Sequence, residues 1–200
     1  MAIVAVVDYG AGNSRSVLYA LQRLSVDAVF TADPDTIRRA DKVIFPGVGN
    51  AGSAMKKLKN TGLDTVIPGL QQPVLGVCLG LQLMCRHTTE EDTRGMGIFD
   101  SGVTHFASQA ERMSGLKIPH MGWNVVDGNK GHLLSGIPEN SYFYFVHGYF
   151  AEVSRWTTGT TDYGLIFSSV MEKDNFFATQ FHPEKSGDSG EAVLKNFLAL

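Results

Sequence analysis

The apolar and polar positions fall into two patterns, one in each half of the chain. Up to about residue 86, short apolar runs alternate with stretches of helical period. Ile3–Val7 is apolar throughout, as a strand covered on both faces would be. Gly10-Ala11-Gly12-Asn13 reads as a turn with Ser14 as a helix cap, after which Val17, Leu18, Leu21 and Leu24 recur at helical spacing. Ala28–Thr31 predicts a second strand, and Asp33-Pro34 a cap followed by proline at the first helical position. Val43–Phe45 predicts a third strand closed by Pro46-Gly47, with helical segments following around Ser53–Leu58 and Leu63–Leu70. Val74–Val77 is a fourth strand, running through Cys78 into a helix from Leu79 to about Arg86. This order predicts an α/β fold with a doubly wound, mostly parallel sheet.

The second half has a different rhythm. Val103–Phe106, Trp123–Val126, Tyr142–His147, Tyr149–Val153, Leu165–Met171 and Phe176–Phe181 are short strand candidates separated by turns, which favours an antiparallel or mixed extension. Glu191–Leu200 closes as an amphipathic helix with Val193, Leu194, Phe197 and Leu198 on one face. With no repeat, low-complexity tract or linker, residues 1–200 read as one domain.

Composition narrows the functional classes. Hydrophobic residues make up 44% and charged residues 18%, a foldable balance. The net charge of -3, with no basic run, argues against a nucleic-acid or anionic-membrane partner. The first apolar run lacks a preceding basic region and ends at Asp8, so it does not read as a secretion signal. No apolar stretch approaches the roughly 20 residues of a membrane span. Two cysteines make no disulfide framework, and a reduced, cytoplasmic compartment is the expectation.

Gly76-Val77-Cys78-Leu79-Gly80 places a cysteine between a buried strand and a helix, flanked by glycines. This is the pattern of a nucleophile elbow in its cysteine form. A sharp strand-to-helix turn strains the nucleophile's backbone and demands small neighbours. It lifts the thiol above the carboxyl edge of the sheet, where open α/β folds bind ligands. The helix N-terminus favours a thiolate, and the Leu79 N–H is placed to serve an oxyanion. The competing reading is a buried structural cysteine. Cys85 lies about 10 Å further along a continuous helix by rise, beyond disulfide reach, and reads as a packing residue.

Gln180-Phe181-His182-Pro183-Glu184-Lys185-Ser186 ends the last strand candidate. Residues two apart on extended chain share a side, so His182 and Glu184 can pair, with Glu184 fixing the imidazole tautomer while His182 serves Cys78. Alone, the segment is a weak signal, with a surface histidine beside a surface glutamate as the competing reading; with Gly76-Val77-Cys78-Leu79-Gly80 in the same chain it becomes strong. Pro46-Gly47-Val48-Gly49 follows the third strand at the same sheet edge, and its glycines let a peptide N–H turn toward an oxyanion. A plain strand-exit turn is the alternative there. Metal catalysis is set aside because the histidines and cysteines lack ligand spacing, and no cofactor is expected. A dinucleotide loop after the first strand fails because its third glycine would be Arg15. The formal match Gly47–Gly52 follows a third strand and has no fitting acidic residue.

With these residues in place, the chain resembles the class I (triad) glutamine amidotransferases, which share a flavodoxin-like fold. It is most similar to the glutaminase subunits of imidazole glycerol phosphate synthases. The resemblance spans essentially the whole chain. It rests on Asp8-Tyr9-Gly10-Ala11-Gly12-Asn13, Pro46–Gly49, Gly76–Gln82, Lys117-Ile118-Pro119-His120-Met121-Gly122-Trp123-Asn124, Tyr144-Phe145-Val146-His147-Gly148-Tyr149 and Gln180–Ser186. One departure is Gly148, where the family leads one to expect serine.

The resemblance implies hydrolysis of L-glutamine by Cys78, His182 and Glu184, with Leu79 and, through a Val48 peptide rotation, Val48 as oxyanion donors. It implies Gly49, Gln82, Gly148 and Tyr149 around the substrate. It also implies a cyclase partner, a (β/α)8 barrel forming a heterodimer. That barrel would use the ammonia to make imidazole glycerol phosphate and an aminoimidazole ribonucleotide (AICAR) in histidine biosynthesis. Asn13, Trp123 and Lys185 would lie on the docking face. Trp123 could equally be a core tryptophan, but Gly122 and Asn124 suggest an exposed turn. Two other readings stand beside this one. One is a glutaminase subunit of the pyridoxal phosphate synthase type, which lacks the P-H-M-G-W-N element. The other is a cysteine peptidase, thiol stress protein or inactive binding module on a related sheet.

Overall fold

The computed structural model describes residues 3–10, 14–128 and 131–200. Its order is β1 (Val4–Val7), α1 (Ser14–Arg23), β2 (Ala28–Thr31), α2 (Pro34–Arg39), β3 (Lys42–Gly47), α3 (Ala51–Thr61), α4 (Leu63–Val66), β4 (Val74–Cys78) and α5 (Leu79–Met84). There follow β5 (Cys85–Thr88), β6 (Thr93–Arg94), β7 (Phe99–His105), β8 (His120–Val125), β9 (Tyr142–His147), β10 (Tyr149–Ala151), β11 (Thr157–Asp162), β12 (Ile166–Lys173), β13 (Phe176–Thr179) and α6 (Gly187–Ala199). Strands run β2-β1-β3-β4-β13-β12-β10-β7-β5-β6 across the main sheet, with β11 paired to β12, while β8 and β9 form a separate hairpin. Pairings from β2 through β13 are parallel, and those of β13-β12-β10-β7 antiparallel, so the sheet is α/β and mostly parallel with a mixed extension.

The continuous apolar runs have a direct cause. Alternate residues of one strand feed two cores on opposite faces. Ala5, Val7, Val43, Phe45 and Val74 belong to one, while Val4, Val6, Ile44, Leu75 and Val77 belong to the other. The predicted cap at Asp33 forms, its carboxylate accepting from Thr36 N at 2.8 Å with Pro34 as the first helical residue. Ser14 itself opens α1 instead of preceding it. Among the described residues no helix is long and apolar enough to cross a membrane.

Three expectations need correction. The helix after Cys78 stops at Met84, because Cys85–Thr88 pairs with β7 and β6. Cys85 is therefore buried in a strand, so helical rise no longer measures its distance from Cys78, although both cysteines are unpaired. The last strand ends at Thr179, short of Phe181. Trp123 lies within β8, paired with Tyr144 of β9, and not in a turn.

Candidate active site

The carboxyl ends of β3, β4 and β13 meet at one edge of the sheet. Gly47 of β3 sits opposite Cys78, the last residue of β4, and Val77 opposite Thr179 of β13. Cys78 has φ 55° and ψ −106°, a strained backbone for a residue with a side chain. The glycines around it sit in tight space, and at Gly80 the wall is backbone. A Cβ at Gly80 would stand 2.2 Å from the Phe45 carbonyl oxygen, and one at Gly76 2.7 Å from the Met84 sulfur. The elbow predicted from the sequence is thus the local geometry observed.

Cys78 is 6% exposed. Its Sγ lies 3.9 Å from the Val146 carbonyl oxygen and accepts from Gln180 Nε2 at 3.7 Å. His182 Nδ1 is 2.8 Å from Glu184 Oε1, and both side chains are 2% exposed. The pairing arises differently from the extended-chain expectation: Pro183–Lys185 forms a 3-10 turn that folds Glu184 back onto the ring. The backbone of His182 is pinned as well. Its N–H donates to Tyr144 O at 3.0 Å, and its carbonyl accepts from Ser186 Oγ at 2.7 Å.

Burial alone would push the His182 pKa down, but the adjacent Cys78 sulfur and the Glu184 carboxylate carry it up to about 10. Nδ1 is taken by Glu184, so Nε2 is the nitrogen left for the thiol, and it has no other hydrogen-bond partner among the described residues.

A cavity of about 310 Å³ opens over Cys78. Its lining gathers Val48, Gly49, Leu79, Gln82, Gly148 and Tyr149, every substrate or oxyanion residue expected from the sequence. Glu90, Pro119, Val146 and His147 complete it. Gln82 is 5% exposed, and its amide N–H groups are both occupied, by Tyr149 O at 2.9 Å and Gln180 Oε1 at 3.1 Å. Its carbonyl is what remains to meet a ligand. Gly148 leaves room, since a Cβ there would make only ordinary contacts, 3.5 Å from His105 Nε2.

Behind the cavity wall runs a directional chain of hydrogen bonds. His147 Nδ1 lies 2.7 Å from Tyr149 O, which can only accept, so this nitrogen carries the proton. His147 Nε2 then accepts from His120 Nδ1 at 3.0 Å, leaving His120 Nε2 to accept from Asn124 Nδ2 at 3.4 Å. Burial pushes His147 down to about 3 and His120 to about 4, so both rings are neutral near pH 7.

The residues expected on a docking face divide. Asn13 lies outside the described residues. Trp123 is 55% exposed on the β8–β9 hairpin, with Met121 at 64% and Tyr142 at 58% beside it. The Trp123 ring meets Tyr144 edge-on at 6.0 Å, and Lys185 Nζ stands 6.0 Å from the same Tyr144 ring. The core-tryptophan alternative is thereby removed. Glu90 and Gln180 were given no role by the sequence. No local pattern marks either, and a carboxylate in the cavity and an amide on the nucleophile's sulfur emerge only from tertiary contacts.

Comparison with known proteins agrees with this geometry. The family model for glutamine amidotransferase class-I matches residues 5–200. A Bacteroides thetaiotaomicron protein named imidazole glycerol phosphate synthase subunit HisH is 54% identical over 197 residues, covering 98% of this chain and 99% of that one. A protein of the same name from Yersinia pseudotuberculosis is 44% identical over 201 residues, with 98% and 99% coverage. Among solved structures, PurLQS from Thermotoga maritima superposes with a TM-score of 0.70 at 17% identity, covering 99% of this chain and 98% of that one. A structure described as glutamine amidotransferase gives 0.74 at 15%, with 98% and 97% coverage. At these identities the two structures speak to fold alone.

Proposed function

The chain belongs to the class-I glutamine amidotransferases, within the imidazole glycerol phosphate synthase subunit family, and on that premise we propose that it is the synthase's glutaminase, with Cys78, His182 and Glu184 as its catalytic groups. The observation that carries the reading is a strained cysteine elbow at the floor of a cavity, beside a histidine–glutamate pair buried to 2%.

Cys78 Sγ attacks the side-chain carbonyl carbon of glutamine, its proton held on His182 Nε2 when the C–S bond forms. Negative charge gathers on the former carbonyl oxygen, where the Leu79 N–H and a rotated Val48 N–H receive it. The tetrahedral species collapses by breaking its C–N bond, the nitrogen takes the proton from His182, and ammonia leaves. Water, deprotonated by the same imidazole, attacks the thioester; the C–S bond breaks, releasing glutamate and restoring the thiol. Glu184 holds the Nδ1 proton throughout and stabilises the imidazolium. The donation from Gln180 Nε2 favours the sulfur when it is negative. At the amino-acid end, the free carbonyl of Gln82 and the Glu90 carboxylate suit the substrate ammonium, with Gly49 and the Gly148-Tyr149 backbone enclosing it.

The ammonia goes to a cyclase, a (β/α)8 barrel docked as a heterodimer partner on the face bearing Met121, Trp123, Tyr142 and Lys185. That exposed aromatic patch and the relatives' shared name favour this partner over a pyridoxal phosphate synthase. A cytoplasmic setting, where thiols stay reduced, suits a catalytic cysteine. The test is glutamate release with and without the cyclase. Cys78→Ser abolishes turnover, and undiminished activity in that variant rejects the mechanism.

A further inference from the structure

Tyr9 follows β1 and belongs to the core cluster that also holds the cavity-lining Leu79; it is 3% exposed, with its ring 5.3 Å from that of Phe45. Its hydroxyl is buried and has no hydrogen-bond partner among the described residues. A buried donor without an acceptor costs the full desolvation of the group, so an apolar ring of the same shape would be the more stable choice.

The location of that hydroxyl is specific. A Cβ built on Gly47 would stand 2.7 Å from it, 2.8 Å from Leu79 Cβ and 2.9 Å from Gly80 N. It therefore lies against the Cα of the residue that ends β3, opposite Cys78 and just before the cavity-lining Val48 and Gly49. Burial first, and the Cys78 charge second, push the phenol above its ordinary pKa, so it remains a proton donor.

In a planar trans peptide the N–H and C=O point in opposite directions. Turning the Val48 N–H toward the cavity therefore turns the Gly47 carbonyl away from it, and the Tyr9 hydroxyl beside the Gly47 Cα is near enough to meet a carbonyl so turned. Resting on the glutaminase reading and deepening it, we propose that Tyr9 is a positioning residue for the oxyanion strand. Its hydroxyl donates to the Gly47 carbonyl once that peptide has turned, and so holds the Val48 N–H on the reacting oxygen.

The deciding variant is Tyr9→Phe, which removes one oxygen from a buried site and retains the ring. Glutamine hydrolysis is measured in the complex with the cyclase, alongside the denaturation midpoint and the rate of Cys78 alkylation by iodoacetamide. The expected result is a kcat lower by about tenfold, the worth of one hydrogen bond. KM stays within about twofold, alkylation is unchanged, and the midpoint is equal or higher. An unaltered kcat overturns the proposal. A kcat that falls together with the midpoint shows that the oxygen only packs, and slower alkylation shows that it acts on the thiol; either result also overturns it. If the wild-type complex releases no glutamate, the glutaminase reading itself has failed, an outcome that the variant alone cannot produce.

Discussion

A carboxylate that meets a single imidazole at 2.8 Å can be exchanged for an amide without disturbing the ring's surroundings. Glu184→Gln should therefore fold normally, yet lower kcat by about a thousandfold with KM nearly constant, because the tautomer and the imidazolium lose their support. Steady-state kinetics decide this, and a kcat within threefold of wild type would show that Glu184 does not serve the chemistry. The buried histidines make a separate prediction about acid. His147 is held down to about 3 chiefly by burial, whereas an unfolded histidine titrates near 6.5. Below that value the unfolded chain binds the proton that the folded chain refuses, so stability falls as pH drops toward 3, by about 1.4 kcal/mol per pH unit from this residue. His120 acts in the same direction down to about 4. His182 works in the opposite sense: its raised value means that stability present below pH 6.5 is lost as pH rises toward about 10. Urea midpoints should accordingly peak near neutrality, and a profile flat from pH 7 to 4.5 contradicts the neutral pair.

Two glycines show how the elements constrain the site. Gly80, in the first turn of α5, lies so close to β3 that Gly80→Ala should destabilise by several kcal/mol, since a backbone carbonyl cannot step aside. Gly148→Ser should change stability by less than about 0.5 kcal/mol, because its Cβ meets only the edge of His105 at 3.5 Å. Thermal melts of the two variants test the contrast. The same elements mark what a sequence can and cannot disclose. Gly76, Cys78 and Gly80 announced their turn because the elbow pattern fits within five consecutive residues, although the wall against Gly80 is Phe45 of β3. Strands β1, β3 and β4 were legible because both of their faces are buried and apolar, and the edge strand β2 because its short run is β-branched and aromatic. By contrast, β11 is Thr157-Thr158-Gly159-Thr160-Thr161-Asp162, with no apolar alternation, and it exists through irregular pairing with β12. The early end of α5 and the places of Glu90 and Gln180 likewise depend on partners distant in the chain, which no window of residues contains.

For the molecule as a whole, the β8–β9 hairpin joins an exposed aromatic surface to the cavity wall through Asn124, His120 and His147. Trp123→Ala should weaken the cyclase complex by about 2 kcal/mol, close to thirtyfold in Kd, while leaving unassisted glutaminase turnover as it was. Titration of the partner measures the first and a glutamate assay the second; equal affinity would move the docking face elsewhere.

The position of β13 carries a consequence for how the protein is made. Among the described residues this strand alone joins the parallel block ending at β4 to the antiparallel block beginning at β12, and it follows the other described strands in chain order. While a ribosome is still extending the polypeptide, β4 must therefore present an unpaired, apolar margin, the kind of surface on which nascent chains aggregate. His182 and Glu184 follow β13 directly in the chain, so they reach the sheet edge only as that margin is covered. The thiol thus acquires its base at the moment the two halves of the sheet become one, and translation cannot leave behind a half-built hydrolase that spends glutamine.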